Sequence, residues 1–329
     1  MKVCFVSNEY PGFGLRGGFG VLTRDLAEGL RDEGVETCVL VPKSPKVEQR
    51  TIEYINGIQV IGVPRDNLKK FFASHLYKLP KADIYHSEEI LVDSYFVVKN
   101  NPKAKHVVTF QDPPLFDELW SLEVLRGKGG VLRKLKLRLK YEMRKRIIMR
   151  AIKEMDAYFA EAKFLIEKAK KMFNIREEIK FLPNPIRMPK ERIRKASEPT
   201  VCFLGRWDVQ KRPWIFLELA REFPDVNFIA MGKGQENEDL DRKLRSKYRK
   251  VKNLRMTGYV SEEEKKKFLN ESWILVSTSI REGLPIAFLE ALSRRCALLS
   301  YVNPDDLARK YGYWAREEDF GEGLRWLLE

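Results

Sequence analysis

Short apolar runs, each followed by a segment long enough for a helix, recur along this chain and constrain its fold more than any other feature. In the first half the runs occupy residues 3–7, 36–41, 82–85, 106–110, 157–160 and 179–182. Buried parallel strands are continuous apolar runs of this length. The order predicts an α/β protein with a doubly wound parallel sheet. Asn56-Gly57, between two further β-like runs, predicts a type I′ hairpin.

A second series of runs follows at residues 201–204, 227–231, 254–257, 273–277 and 297–300. The intervening residues, 184–200, are rich in Pro and charge and lack an apolar period, as domain linkers do. With 329 residues, 44% of them hydrophobic, the chain is large enough for two cores. We therefore predict two Rossmann-like domains, residues 1–190 and 191–329, that face a cleft at the carboxyl ends of their strands.

Cysteine usage and apolar run length bear on the compartment. The four cysteines are scattered without a CxxC pair, which disfavours both a disulfide scaffold and a zinc knuckle and favours a reducing compartment. No apolar run approaches the roughly 20 residues of a membrane span, and the N-terminal run is too short for a signal peptide. We expect a cytoplasmic protein. Five glutamines on a Lys- and Glu-rich surface indicate a hot habitat.

Positive charge is concentrated in residues 126–153, which hold twelve basic residues and one acid, or +11 of the net +14. Apolar residues recur there every three or four positions, from Leu132 to Ala151, and predict a helix with one apolar stripe and a cationic remainder. Such a helix either packs on the core with its basic face in solvent or meets an anionic membrane surface, peripherally at its inner face. Nucleic acid is disfavoured as a partner, since Tyr141 is the only aromatic residue within residues 126–153 that could stack on a base.

The loop after the first predicted strand is rich in glycine. Gly12-x-Gly14-x-x-Gly17 matches the dinucleotide fingerprint, but four residues separate it from the strand, and the second strand ends in Val-Pro-Lys instead of an acid. These departures disfavour NAD. Gly17 and Gly18 would instead let the backbone approach a phosphate or a sugar at the N-terminus of the next helix. A permissive tight turn is the alternative.

Two cations, Arg206 and Lys211, stand five positions apart in the loop after the first strand of the second domain. Arg presents a planar fork to phosphate oxygens, and Lys a mobile point charge, which suits a diphosphate leaving group. A solvated basic loop would have the same sequence pattern.

A pair of acids, Glu282 and Glu290, follows the strand at 273–277. Pro285 suits the first turn of a helix, so that Glu282 lies in the entering loop and Glu290 more than a turn inside. These carboxylates can accept hydrogen bonds from vicinal hydroxyls of a sugar and a ribose. Gly283 and Leu284 would present backbone N–H groups to phosphate. The alternative is an exposed acid followed by a glutamate on a helix surface.

Together these motifs resemble the retaining glycosyltransferases of family 4, which have the two-domain GT-B fold. GRWDVQKRP is similar to the Arg-x4-Lys motif of that family and EGLPIAFLE to its Glu-x7-Glu motif. Similar fragments run through nearly the whole chain in the family's order, among them ADIYHSEE, HVVTFQDPP, KFLPNPI, AMGKGQE and MTGYVSEEE.

The resemblance implies a role for each motif residue. Arg206 and Lys211 hold the diphosphate of the donor and offset leaving-group charge. Glu290 binds the ribose of the nucleotide, and Glu282 the transferred sugar near its reacting carbon, so that Glu282, Arg206 and Lys211 carry catalysis. Further donor contacts are implied for Gly17, Gly18, Tyr259 and Val260.

The chain departs from the family pattern at three places. Gln111-Asp112 stands where a His-Asp is usual, and that His commonly touches the transferred sugar, so Gln111 bears on sugar choice. Residues 293–296 replace a small glycine-containing turn. Members of the family usually continue past a point equivalent to residue 329 into a helix that returns to the first domain, which bears on domain closure. His86 resembles the first-domain cleft histidine of the family, or is a satisfied core residue.

The sequence thus predicts a glycosyltransferase that moves a sugar from a nucleotide diphosphate to a saccharide or lipid-linked acceptor, with no cofactor and no bound metal. The DxD-like pair Asp239 and Asp241 lies in a charged helical segment and is interpreted as surface. The anomeric configuration would be retained if the acceptor attacks the same sugar face from which the leaving group departs, or if the reaction is a double displacement. The alternatives are a catalytically weakened nucleotide-sugar-binding or membrane-surface module, and an epimerase or phosphorylase of the same fold.

Overall fold

Two units, Met1–Pro185 and Ile186–Glu329, make up the chain in the computed structural model. The structure describes residues 1–13, 17–42, 52–63, 79–234 and 238–329. Residues 182–199, which join the units, contain no helix or strand. The sequence-based boundary between residues 190 and 191 lies inside this segment. Each unit has apolar clusters of its own.

The first unit is built on a sheet with eight strands in the described residues. These are β1 (Lys2–Val6), β2 (Glu36–Pro42), β3 (Ile52–Ile55), β4 (Ile58–Val63), β5 (Ile84–Ser87), β6 (Lys105–Phe110), β7 (Ala157–Ala160) and β8 (Ile179–Phe181). Their order is β3-β4-β2-β1-β5-β6-β7-β8, and only β3 and β4 pair antiparallel. The predicted hairpin is confirmed, since Asn56 and Gly57 have the positive φ angles, 50° and 78°, of a type I′ turn.

The helices described in this unit are α1 (Gly18–Asp32), α2 (Val92–Asn100), α3 (Phe116–Leu125), α4 (Val131–Ile152) and α5 (Lys163–Phe173). The central strands are nearly wholly buried, which is why they form continuous apolar runs. Cys4 of β1 stands opposite Cys38 of β2 in the parallel register. All four cysteines of the chain are free and buried.

The second unit has a six-stranded sheet in its described part. The strands are β9 (Thr200–Leu204), β10 (Asn227–Met231), β11 (Leu254–Gly258), β12 (Ile274–Ser277), β13 (Ala297–Ser300) and β14 (Gly312–Trp314), in the order β11-β10-β9-β12-β13-β14. The helices are α6 (Pro213–Glu222), α7 (Glu238–Tyr248), α8 (Glu262–Glu271), α9 (Ile286–Ser293), α10 (Leu307–Lys310) and α11 (Phe320–Leu328). The sequence did not predict β14, because its three residues are too few for an apolar run.

The strand order reverses once in each unit, and this positions the candidate site. In the first unit β2, β3 and β4 lie on one side of β1, and β5 pairs with β1 on its other side. In the second unit β12 adds to β9 on the side opposite β10. Open α/β sheets bind ligands outside the carboxyl ends of their strands at such a reversal. The predicted doubly wound fold is confirmed for both units.

Helix α4 differs from the helix expected for residues 126–153. It begins at Val131, and the predicted apolar stripe is exposed from Leu132 to Met143, so that this part of it does not pack on the core. The helix has a second apolar face, and this one packs on the fold: the ring of Tyr141 contacts that of Phe116 in α3, with centroids 5.7 Å apart. Among the described residues, no helix combines the length and apolar content needed to cross a bilayer.

Two glycines of the second unit bring the loops after β9 and β10 together. Gly232 has a φ of 128°, and a Cβ there would overlap the carbonyl oxygen of Gly205. Its N–H also donates to the carbonyl of Gly258 at 2.7 Å. A side chain at residue 232 would therefore push apart loops that start at three neighbouring strands.

Gly232→Ala should lower the free energy of unfolding of the second unit by more than about 1 kcal/mol, because alanine meets both strain and overlap. Gly29→Ala provides the control, since Gly29 lies on the exposed face of α1 with open space around it. There alanine should stabilise by about 1 kcal/mol. Calorimetry of the two variants measures both effects, and a change of the same sign in both would contradict the packing of the loops.

Candidate active site

The loop after β9 is folded by Asp208. Its Oδ1 accepts hydrogen bonds from the backbone N–H groups of Gln210, at 3.0 Å, and Lys211, at 2.9 Å. Asp side chains commonly fold turns in this way. The turn fixes the backbone of Lys211 just before α6, which begins after Arg212 in the left-handed conformation at a φ of 47°.

Hydrogen bonds tie this loop to the loop after β12. The Arg212 Nε donates to the Thr278 carbonyl at 2.7 Å, and the Thr278 hydroxyl donates back to the Lys211 carbonyl at 2.6 Å. The Gln210 side chain donates to the Arg281 carbonyl at 2.9 Å. The two loops on either side of the strand reversal are thus one hydrogen-bonded body.

Within that body, the ammonium group of Lys211 donates to the carboxylate of Glu282, 71 positions away in the chain. Both side chains line a small concavity at the carboxyl ends of β9 and β12, against Pro285 at the start of α9. Gly283, next to Glu282, is buried. The expectation that Glu282 lies in the loop before a helix is confirmed, although Pro285 is the N-cap of α9 and not its first helical residue.

Glu290 lies in the second turn of α9 and pairs with a residue that sequence reasoning missed. The Lys265 Nζ, on α8, is 2.5 Å from a Glu290 oxygen and 3.0 Å from Glu262. Burial lowers the pKa of Lys265, but the two carboxylates outweigh this effect and raise it. Lys265 is charged and partly buried, so it neutralises Glu290. Only Glu262, three residues before Lys265, could have been paired with it from spacing.

Arg206 has the most exposed side chain of the predicted motif residues in this loop, at 42%, and its Nε lies 3.6 Å from Asp208. An exposed guanidinium held at its base by a carboxylate can turn toward an anion in solvent. Tyr259, after β11, is also exposed, whereas Val260 packs against the core.

Gly17 and Gly18 begin α1 after β1 of the first unit. Gly17 is the N-cap with an extended backbone, so its need for glycine is spatial. A Cβ on Gly17 would collide with the carboxylate of Glu9, and one on Gly20 would press on the Glu9 backbone. The close approach of Glu9 explains two of the glycines. Gly14 lies outside the described residues.

His86 lies next to the last residue of β5, on the other side of the strand reversal in this unit. Its Nε2 is 2.7 Å from the Thr109 hydroxyl and 3.5 Å from Glu88 Oε1. Burial lowers the pKa of His86 to about 4 and raises that of Glu88 to about 8. At neutral pH both groups are uncharged, so their contact is a neutral one. His86 is partly buried and hydrogen-bonded, in keeping with the satisfied residue considered above.

Two consecutive buried acids organise the residues around Gln111. Gln111 donates its side-chain N–H to Glu88 at 3.0 Å, and Glu89 accepts the backbone N–H groups of Gln111 and Asp112 at 3.2 and 2.8 Å. Burial raises the pKa of Glu89 to about 7. Sequence reasoning singled out Gln111 but missed its two partners. Two acids directly after a strand, within an apolar context, were the available signal.

Asp112 belongs to a separate ion-pair group. The Lys168 ammonium lies 3.1 Å from Asp112 and 3.0 Å from Glu118. Asp112 is therefore paired with a cation, next to Glu88 and Glu89, whose pKa values burial raises.

The DxD-like pair is also engaged. Asp239 pairs with Arg242, and Asp241 with Arg245 at 2.9 Å, all on α7. No group of three or more His, Cys, Asp or Glu side chains suited to a metal ion occurs in the part of the chain that the structure describes.

Family models match the sequence of both units. The model described as Glycosyltransferase Family 4 matches residues 16–188, more than half of the chain, and the model described as Glycosyl transferases group 1 matches residues 187–305. The chain belongs to glycosyltransferase family 4. It is therefore a glycosyltransferase, as its motifs predicted. No curated protein sequence matches it significantly.

Solved glycosyltransferase structures share the fold of this family 4 member. The sucrose-phosphate synthase of Thermosynechococcus elongatus is 14% identical, with a TM-score of 0.63 over 91% of this chain and 80% of that one. The lipopolysaccharide outer core galactosyltransferase WaaB is 15% identical, with 0.64 over 99% and 90%. TarM of S. aureus is 10% identical, with 0.64 over 100% and 93%. At these identities the likeness concerns the fold, and the residue roles stay predictions.

Glu88→Gln should stabilise the first unit at alkaline pH. A carboxyl whose pKa rises from 4.5 to about 8 on folding makes the free energy of unfolding fall as pH rises between those values, because the folded state keeps a proton that the unfolded chain releases. The neutral amide removes this loss, on the order of 4 kcal/mol at pH 8. Thermal unfolding from pH 4 to pH 9 measures the effect.

The gain should vanish near pH 4, where Glu88 is protonated in both states. Glu178→Gln is the matched control, because Glu178 is exposed, and its unfolding curve should follow that of the parent at every pH. Equal curves for the Glu88→Gln variant and the parent at pH 8 would contradict the buried protonated acid.

Proposed function

We propose that this glycosyltransferase transfers a sugar from a nucleotide-diphosphate sugar to a saccharide or lipid-linked acceptor, with retention of the anomeric configuration and without a bound metal. The observation that carries the proposal is the contact of Lys211 with Glu282 in one concavity at a strand reversal. It joins a cation suited to phosphate with a carboxylate suited to hydroxyl groups. A sugar diphosphate presents both groups next to each other.

The cations bind the leaving group in this proposal. Arg206 reaches the diphosphate from its exposed position, and Lys211 leaves Glu282 for the phosphate oxygens. Preorganised cations at a developing charge lower the barrier because they need little reorganisation. As the donor draws Lys211 away, the carboxylate of Glu282 becomes available to hydroxyls of the transferred sugar.

The carboxylate of Glu290 holds the ribose of the nucleotide. Burial raises the pKa of Glu290 and Lys265 opposes this rise, so the ion pair favours Glu290 as an acceptor for two hydroxyl groups. The backbone N–H groups of Gly283 and Leu284 face phosphate at the start of α9, and Tyr259 and Val260 neighbour the base. Among the relatives by fold, the structure of TarM contains UDP, and so does that of an alpha-glucosyltransferase.

The first unit carries the remaining predicted site residues. By the family resemblance, Gly17 and Gly18 are donor-contacting residues, and His86, Gln111 and Asp112 are sugar- and acceptor-side residues. Because Gln111 is held by Glu88, it presents its amide oxygen in a fixed position. We expect this amide to select among donor sugars in place of the usual histidine.

Retention without a metal follows from the same groups. Arg206 and Lys211 supply the positive charge that a metal would otherwise supply, and the engaged carboxylates of Asp239 and Asp241 are not free to bind one. The departing phosphate accepts the proton of the acceptor as it attacks the same sugar face, so positioning carries the reaction. A catalytically weakened binding module is the second candidate, favoured by Gln111 at the histidine position.

Arg206→Ala and Glu290→Gln should each weaken donor binding by roughly tenfold or more, because each removes a charge-assisted hydrogen bond. The measurement is thermal shift with UDP, GDP, ADP and their sugar conjugates, since a ligand that binds the folded state raises its stability. Arg249→Ala, in the exposed turn that follows α7, is the control and should bind like the parent. A shift with no nucleotide would refute the donor site, and binding without turnover over a broad acceptor panel would favour the second candidate.

The product should keep the anomeric configuration of the donor, and EDTA should leave the rate unchanged. NMR coupling constants of the product's anomeric proton report the configuration, and donor hydrolysis without acceptor separates transfer from epimerase or phosphorylase chemistry. An inverted product would refute the retaining mechanism. Loss of activity in EDTA that Mg²⁺ restores would refute metal independence.

A further inference from the structure

We propose that helix α4 docks this protein on an anionic lipid bilayer through an apolar ridge that the fold leaves exposed. The ridge consists of Leu132, Leu135, Leu139 and Met143, whose exposed fractions are 77, 56, 58 and 55%. Large apolar side chains that are exposed as a continuous row mark an interaction site.

The ridge lies on the side of α4 that faces away from the first unit. At 100° per residue its four side chains fall within about 80° of one another. The packed face of the helix, which includes Leu137, Tyr141, Ile148 and Ile152, is centred about 180° from the ridge. The first unit therefore holds the helix from behind and presents the ridge outward.

Basic side chains border the ridge. Lys136 and Lys140 are exposed on one flank, and the exposed Arg146 and Arg150 continue the row of the ridge toward the end of the helix. The single acid in residues 126–153, Glu142, is neutralised by Arg138 at 3.0 Å. An apolar row bordered by cations is the arrangement of helices that lie in a membrane interface, where the basic side chains reach the headgroups.

The charge of the helix and its apolar centre together favour an anionic bilayer over other partners. A surface that binds nucleic acid presents cations and aromatic rings that stack on bases, whereas the centre of this surface consists of Leu and Met. A neutral bilayer would match the ridge but not the basic residues around it. An anionic bilayer matches both.

A bilayer contact fits one class of acceptor. A lipid or lipid-linked saccharide lies in the plane where α4 would rest, so docking would bring the first unit to it. This consequence rests on the proposed function, whereas the docking itself does not.

Flotation with vesicles tests the docking on the full chain. We expect binding to vesicles of phosphatidylcholine with phosphatidylglycerol and little binding to phosphatidylcholine alone. Leu135→Gln/Leu139→Gln and Lys136→Glu/Lys140→Glu should each lower the partition coefficient by roughly tenfold or more. The controls are Met188→Gln, an equally exposed apolar residue elsewhere, and Arg249→Glu/Lys250→Glu, and both should bind like the parent.

A fluorescent probe distinguishes insertion from adsorption. Because the four native cysteines are buried, Leu139→Cys provides an accessible thiol for an environment-sensitive dye. Its emission should shift to the blue on vesicles with phosphatidylglycerol, and that of labelled Met188→Cys should not.

Equal vesicle binding by the parent and both double variants would overturn the proposal, as would an unshifted probe. The proposal would also be overturned if the protein did not bind vesicles but associated with itself through the ridge. The same holds if it did not bind vesicles but bound duplex or single-stranded RNA. Nucleotide thermal shifts, recorded without lipid, keep the two questions apart. Vesicle binding without a thermal shift from any nucleotide would refute the proposed function and leave the docking intact. A nucleotide thermal shift without vesicle binding would refute the docking and leave the proposed function intact.

Discussion

The reversal of strand order in each parallel sheet is the constraint on which the candidate site depends. Loops that leave the carboxyl ends of β9 and β12 part to opposite sides of the sheet, yet start from neighbouring strands. Hydrogen bonds between Arg212 and Thr278 then hold these loops as one body. Lys211 and Glu282 meet only because of this arrangement. The chemistry of the motifs is thus a consequence of topology.

Lysines satisfy the two motif acids of the second unit. A carboxylate removed from water without a partner is destabilising, and Lys211 and Lys265 supply the partners of Glu282 and Glu290. The two pairs differ in what surrounds them. Lys265 has a second carboxylate, Glu262, and is fixed between the two, whereas Lys211 lines a concavity. The Lys265–Glu290 pair suits the proposed role of Glu290 as a permanent acceptor for ribose. The Lys211–Glu282 pair suits a lysine that exchanges its carboxylate partner for phosphate.

The strands were predictable from sequence because a doubly buried strand has no polar face to interrupt its apolar run. The helix faces were less so. The period of residues 126–153 predicted one apolar stripe, but α4 has two, and periodicity cannot say which of them contacts the fold. Sequence spacing likewise gave Glu282 and Glu290 their places on a loop and a helix. It could not give their lysine partners, because those contacts join elements far apart in the chain.

The two units stabilise their buried acids by different physical means. In the second unit, Glu282 and Glu290 each pair with a lysine. In the first, Glu88 keeps its proton, because burial raises its pKa to about 8 and its nearest basic neighbour, His86, is itself neutral. Gln111 fits this cluster better than a charged group would, since its amide donates to Glu88 without adding charge. A histidine at position 111 would add a titratable group to a cluster whose neutrality depends on proton uptake. The departure from the family pattern at Gln111 and the buried acid Glu88 are therefore one feature.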